Sequence, residues 1–326
     1  MRSLVFQEFG EPSAVLKLTE RPMPTPTPAG VVLRVTMRPI NPSDLSIVRG
    51  HYGRLPKLPA VPGLEAVGRI EAVGDDVADW VPGQRVIPLG VEGTWTEAMA
   101  VPEQVLLAVP DEMPDQIACQ MLVNPLTAYL LLFEVLKAKP GDWVIQSAAG
   151  SALGRMLIQL AAINGINLIN VIRRRAAAEA LKAAGAAHIV VTEDEDVAER
   201  VAAIAGRTPV IKAIDAVGGA TGAKLMAALG YGGMFVLYGA LSREAVPIDP
   251  ARLIFRGLTV KGFWLSDWFR ATARETRDKT VGEVMKLLAS GRMVPPVEAE
   301  YDLADYGQAV VHAERTGRLG KILLIG

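Results

Sequence analysis

The chain has 326 residues, half of them apolar, with 34 Lys and Arg against 35 Asp and Glu and a formal net charge of −1. That balance gives no electrostatic footprint for nucleic acid or an anionic membrane surface, and the length is enough for two domains with separate cores. A single cysteine, Cys119, excludes disulfide frameworks and cysteine-built zinc sites and fits a reducing, cytoplasmic setting.

The opening MRSLVFQEFG runs straight into an alternating strand pattern and lacks the charged and apolar segments of a signal peptide. Up to about residue 120, short strand-like runs are separated by Pro and Gly: 31-VVLRVTMRPI-40, 67-VGRIEAVG-74, 84-QRVIPLG-90 and 105-VLLAVP-110. Many short strands with turn signals at this spacing predict a β-rich barrel or sandwich-like body. From about 120 to 264 the texture changes to apolar strands alternating with helices, which predicts a parallel sheet covered on both faces. The predicted strands are 143-WVIQSAA-149, 167-NLINVI-172, 187-AHIVVT-192, 210-VIKAID-215, 234-MFVLYGA-240 and 258-LTVKGFW-264. The predicted helices between them are 151–165, 176–185, 195–206 and 220–230, several ending in glycine. The longest apolar run, 156-MLIQLAAINGINLINVI-172, is interrupted by Gln159, Asn164, Gly165, Asn167 and Asn170. It reads as a buried helix followed by a strand, not a membrane span. An amphipathic helix near 271–290 follows, and a final strand, 320-GKILLIG-326, is expected to return to the first domain. The fold class is therefore α/β, a β-rich N-terminal domain plus a Rossmann doubly wound parallel sheet, with boundaries at 1–120 and 265–326 for the first and 121–264 for the second.

The strand 143–149 runs into 150-GSALG-154 and then a helix. Small residues at such a turn let phosphate oxygens approach the backbone, where a helix N-terminus offers N–H groups and partial positive charge. An ordinary tight strand-to-helix turn has the same look; the surrounding βαβ context is what favours a dinucleotide. The following strand would end in Asp or Glu at an NAD site, yet here it ends in 173-RRR-175. Guanidinium groups pair bidentately with a 2′-phosphate that a carboxylate would repel, so NADPH is expected over NADH. A solvated basic helix start is the plain alternative.

Over essentially its whole length the chain resembles the medium-chain dehydrogenase/reductase superfamily, whose N-terminal domain is GroES-like. Zinc alcohol dehydrogenases of that superfamily hold their metal with a cysteine near the position of Ser43 and a histidine near Leu64. A hydroxyl is a poor zinc ligand and Leu has no lone pair, while His51, His188 and His312 are too scattered to replace them. No metal is expected. Among zinc-free branches the chain is similar to the mitochondrial-type trans-2-enoyl-CoA (2-enoyl thioester) reductases. The similarity rests on 40-INPSDLSIVRGHYGRLPKLPAVPG-63, 124-NPLTAY-129, 146-QSAAGSALGRMLIQLAA-162, 169-INVIRRR-175 and 262-GFWLSDW-268. The glycine turn and NPLTAY are shared more widely with quinone reductases.

That resemblance implies reduction of a C=C bond conjugated to a thioester carbonyl, with hydride to Cβ and a proton to Cα. Charge gathers on the carbonyl oxygen, and a donor aimed there lowers the barrier. Tyr52 is the implied catalytic acid or enolate-orienting group, since a phenol stays protonated at neutral pH. Without the resemblance, Tyr52 would read as a loop tyrosine packed over prolines. Carried over by position, Asn124 would contact the nicotinamide ribose and Gly150, Ser151, Ala152 and Leu153 would line the pyrophosphate turn. Arg173, Arg174 and Arg175 would read the 2′-phosphate, and Tyr238, Gly239, Ala240 and Leu241 would flank the nicotinamide. Phe263, Trp264 and Leu265 would close the pocket, although aromatic core or subunit interface suits Phe263 and Trp264 equally. Lys321 would reach the cofactor from the C-terminal strand, and Asp44 would cap the helix that NPSDL begins.

The partners implied are a small-molecule substrate and a second copy of the chain in a homodimer. The main competing reading is an NADPH:quinone oxidoreductase, with a flat acceptor and no required tyrosine donor. A cofactor-binding protein without turnover is the reading from another class.

Overall fold

The computed structural model describes residues 1–326 and divides into two compact units, Met1–Val123 with Met285–Gly326, and Asn124–Val284.

In the first unit the strand Gly30–Pro39 organises the sheet. It pairs antiparallel with Val67–Val73, Ala98–Pro102 and the C-terminal strand Lys321–Ile325. The sheet has seven strands, ordered Val297–Asp302, Lys321–Ile325, Gly30–Pro39, Val67–Val73, Arg85–Pro88 and Leu106–Ala108, with Ala98–Pro102 also paired to Gly30–Pro39. The run of β-branched and aliphatic residues in 31-VVLRV-35 explains that central place, because Val31, Val32, Leu33 and Val35 are all buried. The C-terminal segment returns to this unit as its sequence suggests. Phe6, Leu16, Ile40, Val48, Trp95, Leu303, Val310, Ile322 and Leu324 form a core of segments far apart in sequence.

Leaving Gly30–Pro39, the chain enters the helix Pro42–Val48. Pro42 presets the backbone of the first turn, and Asp44 at the third helical position accepts the Asn41 N–H at 2.8 Å. Asp44 thus caps this helix. The loop that follows carries Tyr52.

The second unit holds six strands ordered His188–Val191, Asn167–Ile172, Trp143–Gln146, Lys212–Asp215, Met234–Leu237 and Thr259–Gly262, every neighbouring pair parallel. In chain order this is 3-2-1-4-5-6, the doubly wound arrangement. Each strand lies where its Val/Ile-rich run predicts, and the helices Ala152–Ile163, Ala178–Ala183, Val197–Ala205 and Gly219–Ala227 occupy the intervals. Ile145, Ile169, Val190, Ala213, Leu225 and Phe235 make the core beneath the sheet.

The division between units falls later than the sequence boundary at 265. The segment up to Val284 belongs with the parallel sheet, because Glu134 accepts hydrogen bonds from Trp268 Nε1 at 2.8 Å and Thr280 Oγ1 at 3.3 Å. These side-chain contacts leave no trace in a hydrophobic pattern. No helix is long and apolar enough to cross a membrane.

Candidate active site

Strand order in the parallel sheet reverses between Trp143–Gln146 and Lys212–Asp215, the switch point outside whose carboxyl ends doubly wound folds bind ligands. A buried polar brace joins the two strand ends there. Ser147 Oγ donates to Asp215 Oδ1 at 2.5 Å, and the same hydroxyl accepts the Ala216 N–H at 2.9 Å. Asp215 Oδ1 also accepts Val217 N–H, and Oδ2 accepts Gly218 N–H, both at 2.9 Å. Sequence reasoning passed over this pair. The available signal was 215-DAVGG-219: a carboxylate closing an apolar strand is fully buried only when nearby N–H groups satisfy it, and two glycines supply a turn tight enough to aim them.

From Ser147 the chain passes through Ala148, held at φ 49°, to Gly150 and the helix Ala152–Ile163. Left-handed backbone at a residue with a Cβ costs of order 1 kcal/mol, so the surrounding turn must enforce it. Ser151 caps the helix by accepting the Gly154 N–H at 3.1 Å. Gly154 permits the close helix–strand approach: a Cβ there would lie 2.6 Å from the Ala149 carbonyl oxygen and 2.7 Å from that of Ala148. A Cβ on Gly150 would meet nothing within 4 Å, so the turn is open on that side. The amides of Ala152 and Leu153, in the first helical turn, have no intrahelical acceptor by position and suit an anion. The turn therefore fits a dinucleotide pyrophosphate.

All strands of this sheet run the same way, so the segments following them gather at one edge. The strand Asn167–Ile172 delivers Arg173, Arg174 and Arg175 to it, all exposed. The three differ in one respect: Arg175 is committed to Asp194, its Nε and Nη2 both 2.9 Å from Oδ2. After Met234–Leu237 come Tyr238, Gly239, Ala240 and Leu241, tied to the neighbouring strand end by Tyr238 N–H to the Asp215 carbonyl and Leu241 N–H to that of Ala216, each 3.0 Å. Gly239 lies so close to that strand that a Cβ would stand 2.8 Å from the Ala216 oxygen. The Tyr238 hydroxyl is buried without a hydrogen-bond partner; burial, then the nearby Asp215 carboxylate, pushes its pKa up, so it stays protonated. Phe263 donates its N–H to the Leu237 carbonyl at 2.7 Å. Trp264 stands immediately before the helix Leu265–Ala271 and carries the Arg270 guanidinium 5.0 Å over its ring. Asn124, half-buried, opens the helix Asn124–Leu130.

In the first unit Tyr52 is half-buried and packs with Leu58, Ala60, Val61 and Leu64 against the core. The two positions at which related enzymes hold zinc offer poor donors: Leu64 belongs to that apolar packing, and the Ser43 hydroxyl is buried without a hydrogen-bond partner. No group of three or more His, Cys, Asp or Glu side chains is arranged to hold a metal ion. Burial drives the Cys119 thiol well above its usual pKa, which leaves it inert.

Lys321 departs from expectation. It is 4% exposed, and its Nζ donates to Asn41 Oδ1 and toward the Ile40 carbonyl at 3.5 Å. A buried ammonium needs compensating charge, and Glu65 and Asp44 supply it within this unit. The expectation that Lys321 reaches the cofactor from the C-terminal strand takes no account of that demand.

Residues 27–111 match the alcohol dehydrogenase GroES-like domain and residues 152–285 the zinc-binding dehydrogenase family. The mitochondrial enoyl-[acyl-carrier-protein] reductases of Rattus norvegicus and Homo sapiens are 36% and 34% identical, each aligned over 95% of this chain and 84% of its own length. Among solved structures, Escherichia coli quinone oxidoreductase complexed with NADPH aligns over all of both chains with a TM-score of 0.91 and 26% identity. The chain belongs to the medium-chain dehydrogenase/reductase superfamily and is an oxidoreductase related to these enoyl and quinone reductases.

Proposed function

We propose that the chain is an NADPH-dependent, zinc-independent reductase of the C=C bond of a 2-enoyl thioester. The observation that carries this reading is identity of 34–36% to mitochondrial enoyl reductases over nearly the whole chain, Tyr52 included in the aligned span. Arg173 and Arg174, exposed at the end of the second strand where an NAD site would place an acid, support NADPH over NADH.

In this reading Gly150, Ser151, Ala152 and Leu153 hold the pyrophosphate through backbone N–H groups, and Arg173 and Arg174 take the 2′-phosphate. Asn124, the Tyr238–Leu241 segment and Phe263–Leu265 orient the nicotinamide end. When bound, the reduced nicotinamide supplies a hydride to Cβ. Tyr52 donates a hydrogen bond to the carbonyl oxygen as negative charge gathers there, and serves as the acid that protonates Cα. No Lewis acid is required, which suits a first unit with Ser43 and Leu64 at the positions where its zinc relatives place metal ligands.

The alternative, an NADPH:quinone oxidoreductase, draws support from the likeness to the E. coli enzyme. Tyr52→Phe separates the two, with NADPH oxidation followed against crotonyl-CoA and a quinone panel. Enoyl reduction should fall by about tenfold or more, the usual worth of a positioned acid, with quinone reduction nearly unchanged. Loss of neither, or turnover of quinones only, would select the alternative.

A further inference from the structure

Beside the core of the first unit lies a charged cluster that the proposed reaction leaves unused. Asn41, Asp44, Glu65 and Lys321 are all buried, between 0% and 4% exposed. Their hydrogen bonds form one continuous path. Glu65 Oε2 accepts two backbone N–H groups, Leu122 at 3.0 Å and Val123 at 2.8 Å. Glu65 Oε1 accepts Asn41 Nδ2 at 2.8 Å, and the other end of that amide, Asn41 Oδ1, accepts Lys321 Nζ. Asp44 Oδ2 takes the Asn41 N–H. The Thr94 hydroxyl, donating to the Glu65 carbonyl at 2.9 Å, holds the backbone behind the carboxylate.

Stability alone does not account for such a cluster, because well-packed apolar residues often replace buried ion pairs with no loss. Burial works against every charge in it. It pushes Asp44 up to about 7 and raises Glu65, and it brings Lys321 down to about 8. What the cluster does supply is registry. Val123 is the last residue of the first unit and Asn124 the first of the second, so Glu65 grips the peptides that deliver Asn124. At the other end, Asn41 caps the helix Pro42–Val48, which leads into the Tyr52 loop.

We infer that the Glu65–Asn41–Lys321 path is a positioning device for the reaction, with Glu65 fixing the Leu122–Val123 peptides ahead of Asn124 and Asn41 and Lys321 fixing the helix ahead of Tyr52. This rests on the reading of Asn124 as a cofactor contact. The path has a direction: carboxylate accepts, amide relays, ammonium donates. Glu65→Gln keeps the shape but breaks that order. If the new amide oxygen still faces Leu122 and Val123, its NH2 confronts Asn41 Nδ2; if Asn41 flips to relieve this, its NH2 confronts the Lys321 ammonium. Lys321→Gln in the same chain removes the second conflict, because a glutamine oxygen accepts from the flipped Asn41.

The test measures the NADPH dissociation constant by fluorescence without any acceptor, then kcat and KM with crotonyl-CoA, all well below each variant's melting temperature. E65Q should weaken NADPH by roughly tenfold and lower kcat as well, the scale expected when a contact residue is displaced by a fraction of an ångström. E65Q/K321Q should recover most of both. A merely structural cluster would lower the melting temperature of E65Q and leave the folded enzyme's NADPH affinity unchanged, which would overturn the inference. So would a double variant that melts like wild type yet stays weak. Should E65Q fail to fold, Glu65→Asp, which keeps the charge and withdraws it by one methylene from Leu122 and Val123, must show the same loss of affinity. Wild-type protein that does not bind NADPH would defeat the cofactor reading itself, an outcome distinct from a wild type that binds and an E65Q that matches it.

Discussion

The two glycines of the phosphate turn should respond in opposite ways to one added methyl group. At Gly154 a Cβ would sit 2.6 Å and 2.7 Å from the carbonyl oxygens of Ala149 and Ala148 and 2.7 Å from Ala149 Cα. All three obstacles are backbone of the preceding turn, so no rotamer change relieves them, and the first turn of the helix must move off the strand. Overpacking of this kind costs about 1–3 kcal/mol, while replacing glycine by alanine within a helix returns up to about 1 kcal/mol. Gly154→Ala should therefore lose about 1–2 kcal/mol net, a fall in melting temperature of about 2–8 °C for a unit of this size. It should also weaken NADPH, because the displaced turn carries the amides of Ala152 and Leu153. At Gly150 the same methyl group meets nothing within 4 Å, so Gly150→Ala should melt within a degree or so of wild type. Thermal and urea unfolding of the two variants side by side, with NADPH titrations, provides the measurement. A G154A protein as stable and as tightly binding as wild type would refute the claim that helix–strand proximity at Gly154 shapes the turn.

Other consequences follow from the same geometry. Arg173→Ala with Arg174→Ala should weaken NADPH by about ten- to a hundredfold, the worth of one or two charge-assisted hydrogen bonds, and leave NADH nearly unchanged; equal losses would show that these arginines do not read the phosphate. Arg175→Ala should do much less, since its guanidinium is already engaged by Asp194. Ser147→Ala strips the buried Ala216 N–H of its acceptor and Asp215 of a donor, so it should cost about 1–3 kcal/mol in urea unfolding and reduce NADPH affinity; an unaltered midpoint would remove the brace from the account. At Glu298, burial pushes the carboxyl up, but the Leu319 amide, His312 and the Gly320 amide outweigh it and hold the group below its usual 4.5. A depressed folded pKa contributes stability that is present above the unfolded value and is lost as pH falls through the folded one. Urea midpoints of the wild type should thus drop faster below about pH 4.5 than those of Glu298→Gln, and parallel curves would contradict this.

Much of the parallel sheet was legible because both its faces are covered. Strands such as 167-NLINVI-172 must then be apolar on both sides, and that run coincides with the observed strand end to end. The first unit was harder to read. The strand 297-VEAEYD-302 alternates Glu298, Glu300 and Asp302 with Val297, Ala299 and Tyr301, too short and too acidic a run to stand out, yet it is an edge strand paired with Lys321–Ile325 whose Ala299 and Tyr301 pack against the core. The domain boundary expected at 265 differs from the observed one after Val284 for a related reason: Trp268 and Thr280 are joined to the second unit through a single acceptor, Glu134, more than a hundred residues earlier. Periodicity reports which face of an element is apolar. It does not report which distant polar atom that element will meet.

The same distinction separates the site residues that sequence could name from those it could not. The glycine turn and the arginines announce themselves by chemical type, because a small residue and a guanidinium each suit one task, whereas Tyr52 is singled out only by the family resemblance of the segment around it. Glu65, Lys321, Ser147 and Asp215 are also of reactive types, but what they do depends on partners far along the chain: Val123 lies 58 positions from Glu65, Asn41 280 from Lys321, and Ser147 68 from Asp215. Lys321 illustrates the consequence. On the C-terminal strand it has the charge and reach of a cofactor ligand, and only the fold reveals the buried Asn41, Asp44 and Glu65 that claim its ammonium first. Sequence therefore names the groups able to touch a substrate, while the groups that hold them in place are assigned by the chain crossings that the fold creates.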